Sequence, residues 1–307
     1  MSFLTPLRYP GGKGRLGPWI AELLRHNKIS GGWYAEPYAG GCGAALFLLI
    51  HGYVDRIIIN DADPVIFSFW KAVTEQTDEL IAKIKSTRVS MTAWRAQREI
   101  LAAPSEHCQL DVAFAAFFLN RTNRSGILAG GVIGGKSQSG VWKLGARYNK
   151  DDLVERIRAI GKLSKRIDVY GLDALDLLDV IEPKLPEKSL VYLDPPYFQK
   201  GAQLYRNFYS PDDHAAIARR VAQLKVPVIV TYDKAQEISA LYHSFDQVEF
   251  SLRYSTHTAR PQATELLIYK NLSLQSRPEL TRGRTLRPTR SHKASNVVPQ
   301  SIHELAV

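Results

Sequence analysis

The 307 residues contain only two cysteines, Cys42 and Cys108. Two thiols cannot form a disulfide framework or fill a four-ligand zinc site by themselves, and a reducing compartment is the natural setting. No apolar run reaches the roughly 18 residues that a membrane span needs. The opening stretch Met1 to Arg8 lacks the apolar core of a signal peptide. The expectation is therefore a cytoplasmic protein with no membrane partner. No internal repeat is evident. The glycine stretch Gly11-Gly12-Lys13-Gly14 lacks P-loop spacing, and the one at Gly40-Gly41-Cys42-Gly43 lacks the third glycine of the dehydrogenase fingerprint.

An apolar fraction of 45% supports a core, in one large or two small domains. The formal net charge is +10, which points to a polyanionic partner, nucleic acid first. From Asn271 onward there are six Lys or Arg against two acids, so the end of the chain is basic, and the body is basic as well.

One stretch organises the rest: Ser189-Leu-Val-Tyr-Leu-Asp194-Pro195-Pro196-Tyr197-Phe198. Its apolar, β-branched and aromatic start predicts a buried strand. Two prolines fix φ and remove amide donors just where a carboxylate appears. In an open α/β sheet that carboxyl edge is where ligands bind. Trp33-Tyr-Ala-Glu36 predicts a second strand, running into a glycine turn and a helix. Arg56-Ile-Ile-Ile-Asn60-Asp61 predicts a third, with Asp61 about 20 residues past the glycines, where an acid accepts hydrogen bonds from ribose hydroxyls. Asp63, before Pro64, suits the cap of a helix from Val65 to Ile84. Asp173 ends a further strand, where it can meet a ligand or cap the next helix. Residues 86–165 break this βα rhythm. Helices are predicted over Met91–Leu101 and Leu110–Leu119, followed by Asn120-Arg121-Thr-Asn123-Arg124 and a glycine-rich loop. Such residues supply phosphate and base-edge contacts. Val248–Tyr254 and Ala263–Asn271 read as a closing antiparallel pair.

Tyr9-Pro-Gly-Gly-Lys13, Glu36-Pro37-Tyr-Ala-Gly40-Gly41, Asn60-Asp61, Phe118-Leu-Asn120-Arg121, Asp194-Pro-Pro-Tyr197 and Glu265-Leu-Leu-Ile-Tyr occur in this order. Together they resemble the Dam-type, or D12 class, DNA adenine N6-methyltransferases over residues 5–271. The resemblance implies a doubly wound, mostly parallel, Rossmann-like α/β core with an inserted, mainly helical target-recognition domain. The expected division is core at 1–85 and 166–271, insert at 86–165 and a basic disordered tail at 272–307. It implies S-adenosylmethionine as methyl donor, bound by Tyr9, Lys13, Glu36, Pro37, Gly40, Gly41, Asp61, Asp173 and Asp194. It implies double-stranded DNA as partner, and the residues of the insert expected to contact it are Asn120, Arg121, Asn123, Arg124 and Lys136. A monomer working beside a companion restriction endonuclease, in a prokaryote or phage, completes the picture.

The implied chemistry runs through Asp194, Pro195, Pro196 and Tyr197. The lone pair of adenine N6 is delocalised into the ring. Asp194 accepts one N6 hydrogen and the Pro195 carbonyl the other, so the nitrogen pyramidalises toward the methyl group, with no metal required. Tyr197 offers a ring on which the flipped base stacks. The insert shares little beyond Asn120-Arg121 with members that read GATC, so a different site is expected. The same acceptors serve cytosine N4 or an RNA base, although the acid at 194 favours adenine. An inactive nucleic-acid binder is the alternative of another class.

Overall fold

The computed structural model describes residues 4–9, 13–198, 209–253 and 262–278. Seven strands form one sheet: β1 Trp33–Glu36, β2 Arg56–Asn60, β3 Ile167–Tyr170, β4 Ser189–Leu193, β5 Val228–Asp233, β6 Asp246–Arg253 and β7 Gln262–Lys270. Their spatial order is β3-β2-β1-β4-β5-β7-β6. The first five run parallel, and β7 pairs antiparallel with both β5 and β6. The sheet is the doubly wound α/β arrangement that the strand and turn pattern implies.

Successive strand residues point to opposite faces, and both faces are covered. Tyr34, Ile57, Ile59, Leu190, Tyr192 and Ile229 join one apolar cluster with α1 (Gly17–His26), α2 (Gly43–Ile50) and α3 (Pro64–Glu75). Ala35, Ile58, Val191, Leu193, Val228 and Val230 join the other, with α8 (Ala174–Ile181), α9 (Pro211–Gln223) and α10 (Gln236–Leu241). Double coverage explains why these strands read as unbroken apolar runs. From β1 the chain winds outward through β2 and β3, then returns to β4 beside β1 and winds the other way. The crevice at that reversal lies beyond the carboxyl ends of β1 and β4, where Glu36 and Asp194 stand.

Three details add to the expected organisation. The single helix expected from Val65 to Ile84 is two, α3 and α4 (Thr77–Ser86), broken at Gln76 with φ −131° and ψ 41°. The break lets α4 pack with α6 (Gln109–Thr122) and α7 (Lys150–Gly161). Gly161 meets Thr77 so closely that a Cβ there would come within 2.5 Å of it. The expected insert also holds α5 (Met91–Ala102). Its apolar residues continue the cluster on the sheet face and form no separate core. Finally, residues 272–278 are ordered along α1. Ser273 N–H donates to Asn27 at 2.9 Å, Trp19 Nε1 donates to the Ser276 carbonyl at 3.2 Å, and Leu272 and Leu274 pack on the core. The rest of the expected tail, 279–307, lies outside the described residues, as does Tyr254.

Candidate active site

The crevice is built first by backbone stitching. Asn60, buried at the end of β2, donates to the carbonyls of Pro37 (2.9 Å) and Leu172 (3.0 Å) and accepts from Leu172 N–H (2.8 Å). One side chain thus ties together the segments that leave β1, β2 and β3. The turn after β1 is tight: Gly40 and Cys42 both take positive φ, 44° and 52°. A Cβ on Gly40 would come 2.7 Å from the Tyr9 ring, and one on Gly41 would come 2.8 Å from Tyr9 Cβ. Gly40 and Gly41 are glycine because Tyr9 lies against the turn, so the N-terminal segment forms part of its wall. Asp61 accepts from Gly40 N–H at 2.9 Å and from Asp63 N–H at 3.0 Å. Burial pushes its carboxyl up to about 7 against those two amides. Asp63 caps α3 by accepting from Val65 N–H.

Glu36 is buried at the end of β1 and accepts from the Tyr34 hydroxyl (2.9 Å) and from Ala45 N–H (3.1 Å). Burial raises its carboxyl to about 8, against the pull of those two donors. In the unfolded chain the group returns to the ordinary carboxylate range. The folded protein therefore holds a proton here that the unfolded chain has lost. Stability from this group is present below the ordinary value and is lost as pH rises through about 8. The melting midpoint of the wild-type protein should fall between pH 5 and pH 8.5 by several degrees more than that of Glu36→Gln. Parallel pH slopes for the two proteins would refute this account.

The turn after β4 carries the densest polar cluster. Asp194 Oδ1 accepts from the Thr231 hydroxyl at 2.7 Å and from Lys13 Nζ at 3.0 Å, while among the described residues Oδ2 meets Lys13 alone, at 3.3 Å. Since Thr231 spends its one proton on Asp194, the buried Tyr192 hydroxyl donates to Thr231 at 2.9 Å. Burial raises the Tyr192 hydroxyl well above the usual phenol range, which keeps it a donor. Lys13 Nζ also lies 3.2 Å from Glu265 Oε2 and 3.2 Å from the Tyr197 hydroxyl, which donates to Glu265 Oε1 at 2.8 Å. The turn is pinned from β5, where Asp233 accepts from Phe198 N–H at 2.9 Å. Pro195 and Pro196 are buried beyond the last β4 ladder pair, Leu193 with Val230.

The crevice brings together Tyr9, Glu36, Pro37, Gly40, Gly41 and Asp61, and the turn after β4 joins Lys13, Asp194 and Tyr197. Lys13, expected in the donor pocket, is bonded to the Asp194 carboxylate. Tyr197, expected as an open platform, is buried, with its hydroxyl fixed between Lys13 and Glu265. Asp173 is exposed and caps α8 by accepting from Leu175 N–H at 2.8 Å. Thr231, Tyr192 and Glu265 escape a reading of the sequence as site residues. Glu265 stands in one of the motifs that carry the resemblance, with no site role assigned to it there.

In the insert, Asn120 and Asn123 are buried and saturated. Asn120 accepts from Arg8 N–H (2.7 Å) and donates to the carbonyls of Arg8 (2.8 Å) and Gly126 (2.9 Å). Asn123 accepts from Trp94 Nε1 (2.7 Å) and donates to the carbonyls of Ile127 and Leu128. Both hold the loop together and present no open face to DNA. Arg124 and Lys136 are exposed, and half-buried Arg121 donates to the Arg147 carbonyl at 2.9 Å. Gly130 to Ser137 also reads G-x-x-x-x-G-K-S, but these residues form turns with no helix following, so the phosphate cradle of a P-loop is absent.

Residues 9–256 match the family model of the D12 class N6 adenine-specific DNA methyltransferases. A curated relative, the Type II methyltransferase M.MjaIII of Methanocaldococcus jannaschii, is 26% identical over 206 residues, covering 62% of this chain and 68% of its own length.

Proposed function

Because the chain belongs to the D12 class of N6 adenine-specific DNA methyltransferases, it moves a methyl group onto adenine N6 in DNA, and we propose that the donor is S-adenosylmethionine, bound in the crevice between Glu36 and Asp194. The donor set suits a cation. Asp194 and Glu265 converge on Lys13, which gives the crevice edge two carboxylates, and Glu36 can ionise when a positive charge arrives. S-adenosylmethionine supplies an electrophilic methyl group on a sulfonium. Asp61 keeps spare lone pairs for ribose hydroxyls after taking its two amides. Glu36, Pro37, Gly40 and Gly41, with Tyr9 packed behind the glycines, wall the methionine and sugar part.

The observation that carries the reading is the asymmetry of Asp194. Both short donors converge on Oδ1, and among the described residues Oδ2 keeps a single contact at 3.3 Å. Oδ2 is the acceptor for one N6 hydrogen, and the Pro195 carbonyl, beyond the ladder, takes the other. The nitrogen then pyramidalises and its lone pair localises. Once the methyl group is on, N6 sheds a proton, and Asp194 is the carboxylate at hand. Pro196 stiffens the turn, and Tyr197 anchors it through the hydroxyl held between Lys13 and Glu265. Arg121, Arg124 and Lys136 contact duplex DNA at a site other than GATC. The chain acts as a monomer in a restriction–modification pair, a reading supported by the Type II name of its relative.

Modification-sensitive sequencing of genomic DNA from cells expressing the protein should reveal N6-methyladenine at one short site. Methylcytosine, or no new mark, would overturn the reading. Calorimetry tests the donor site: Asp61→Ala should weaken S-adenosylmethionine binding about tenfold, the scale of one charge-assisted hydrogen bond. Unchanged affinity would remove Asp61 from the ribose.

A further inference from the structure

The loop between α6 and α7 carries the most exposed large apolar side chains among the described residues. Val141 is 92% exposed and Trp142 67%. The exposure does not come from a slack loop. Gln138, in the left-handed region at φ 54°, donates to the carbonyls of Ile133 (2.8 Å) and Gly135 (2.7 Å) and accepts from Leu144 N–H (2.8 Å). Gly140 N–H closes onto the Gly134 carbonyl at 3.1 Å. A side chain in the middle of the loop thus braces both of its arms and holds the tip out.

The base of this tip is cationic. The Arg147 guanidinium lies 5.9 Å from the centre of the Trp142 ring, and the Arg147 carbonyl receives Arg121 Nε. Arg8 adjoins them, donating to the Asn123 carbonyl at 3.2 Å. Burial lowers the Arg121 guanidinium to about 10, and Arg8, Arg156 and Arg147 push the same way, with Asp152 alone opposing. Arg156 is paired with that Asp152 at 2.6 Å. Arg8, Arg121 and Arg147 therefore repel one another, and among the described residues none of the three is in an ion pair. Tyr9, next to Arg8, covers the Gly40–Gly41 turn, so the arginines lie between the apolar tip and the donor crevice.

A braced aromatic tip beside a row of unneutralised arginines fits a polyanion with stacked rings. We propose that Val141 and Trp142 form a wedge that enters duplex DNA beside the target base pair, while Arg8, Arg121 and Arg147 hold the adjoining phosphates. Apolar wedges part base steps at a cost of a few kcal/mol and hold open the space that a flipped base leaves. Arginine forks fix the backbone register. The wedge rests on the reading of duplex DNA as substrate.

The test uses the full-length protein, a fluorescent duplex carrying the site found by sequencing, and Trp142→Ala, Trp142→Phe and Arg147→Ala. These side chains are exposed, so the variants should melt with the wild type. Trp142→Ala should lose at least tenfold in duplex affinity with an unchanged salt slope, Trp142→Phe should regain most of it, and Arg147→Ala should reduce the slope by about one. Duplex binding and methylation by Trp142→Ala at wild-type levels would overturn the wedge. So would a wild-type dimer that Trp142→Ala splits with duplex affinity intact, since the tip would then serve a second copy of this chain. If the wild-type protein marks no adenine, the functional reading fails. If it does and Trp142→Ala matches it, the wedge alone fails.

Discussion

Asp194→Ala should keep the fold and lose methyl transfer by about a thousandfold or more in a single-turnover assay with labelled donor. One preorganised group aimed at developing charge is worth roughly 10²–10³ in rate. Here the same substitution also removes the acceptor that localises the N6 lone pair and the nearest base for the departing proton. The fold should survive because Asp194 lies outside the ladder and is about a quarter exposed, at 23%, while Lys13 keeps Glu265 and Tyr197. Asp194→Asn, which keeps shape but not charge, should fall between the two. Thr231→Val would release Oδ1 and should slow transfer without weakening donor binding. If Asp194→Ala methylates within tenfold of the wild type, the assignment of the turn after β4 as the reaction centre is wrong.

The second large effect is on stability. Lys13 is 3% exposed and compensates two carboxylates at once, Asp194 at 3.0 Å and Glu265 at 3.2 Å, the latter 1% exposed. Lys13→Met removes the cation that the two acids share and leaves both acids. Breaking a buried ion pair from one side costs about 3–5 kcal/mol. In a chain of this size that corresponds to a fall of about 10 °C in melting midpoint. Lys13→Met combined with Glu265→Gln neutralises the more buried acid and should recover a good part of that loss, while methyl transfer stays low. A single variant that melts with the wild type would mean that Lys13 is not the keystone of the cluster. A double variant that melts below the single would mean that Glu265 is not what Lys13 compensates.

Local patterns carried most of the fold. The apolar runs, the glycine turn and the acids at strand ends fix which segments are strands and which of their ends face the crevice. Asp194 and Asp61 are legible for that reason, since each acid stands at a strand terminus. The Lys13 contact is not, because the two residues are 181 positions apart and meet only when the N-terminal segment folds over the crevice. Glu265 is hidden differently. Its strand is covered on both faces, so alternation cannot say which way it points, and only the antiparallel fit of β7 against β5 brings it to the cluster. Asn120 and Asn123 mislead when read by residue type. Helix α6 is buried on nearly every side from Val112 to Thr122, and an amide at the end of such a helix belongs to the interior. That clue lies in the apolar run itself.

The clamp of Asn120 on both backbone groups of Arg8 has a consequence for how such enzymes diversify. It fastens the insert to the segment that also carries Tyr9 and Lys13, so the loop that begins after Gly126 hangs from a base tied to the crevice. The exposed tip and its glycine turns hang downstream, from Ile127 to Arg147. Exchanging its exposed residues while keeping the buried Val132 and Leu144 should change the sequence that is marked and leave Asp194 and Glu36 in place. Grafting a tip from a relative onto residues 127–147 is the natural route to a new address with the same ink.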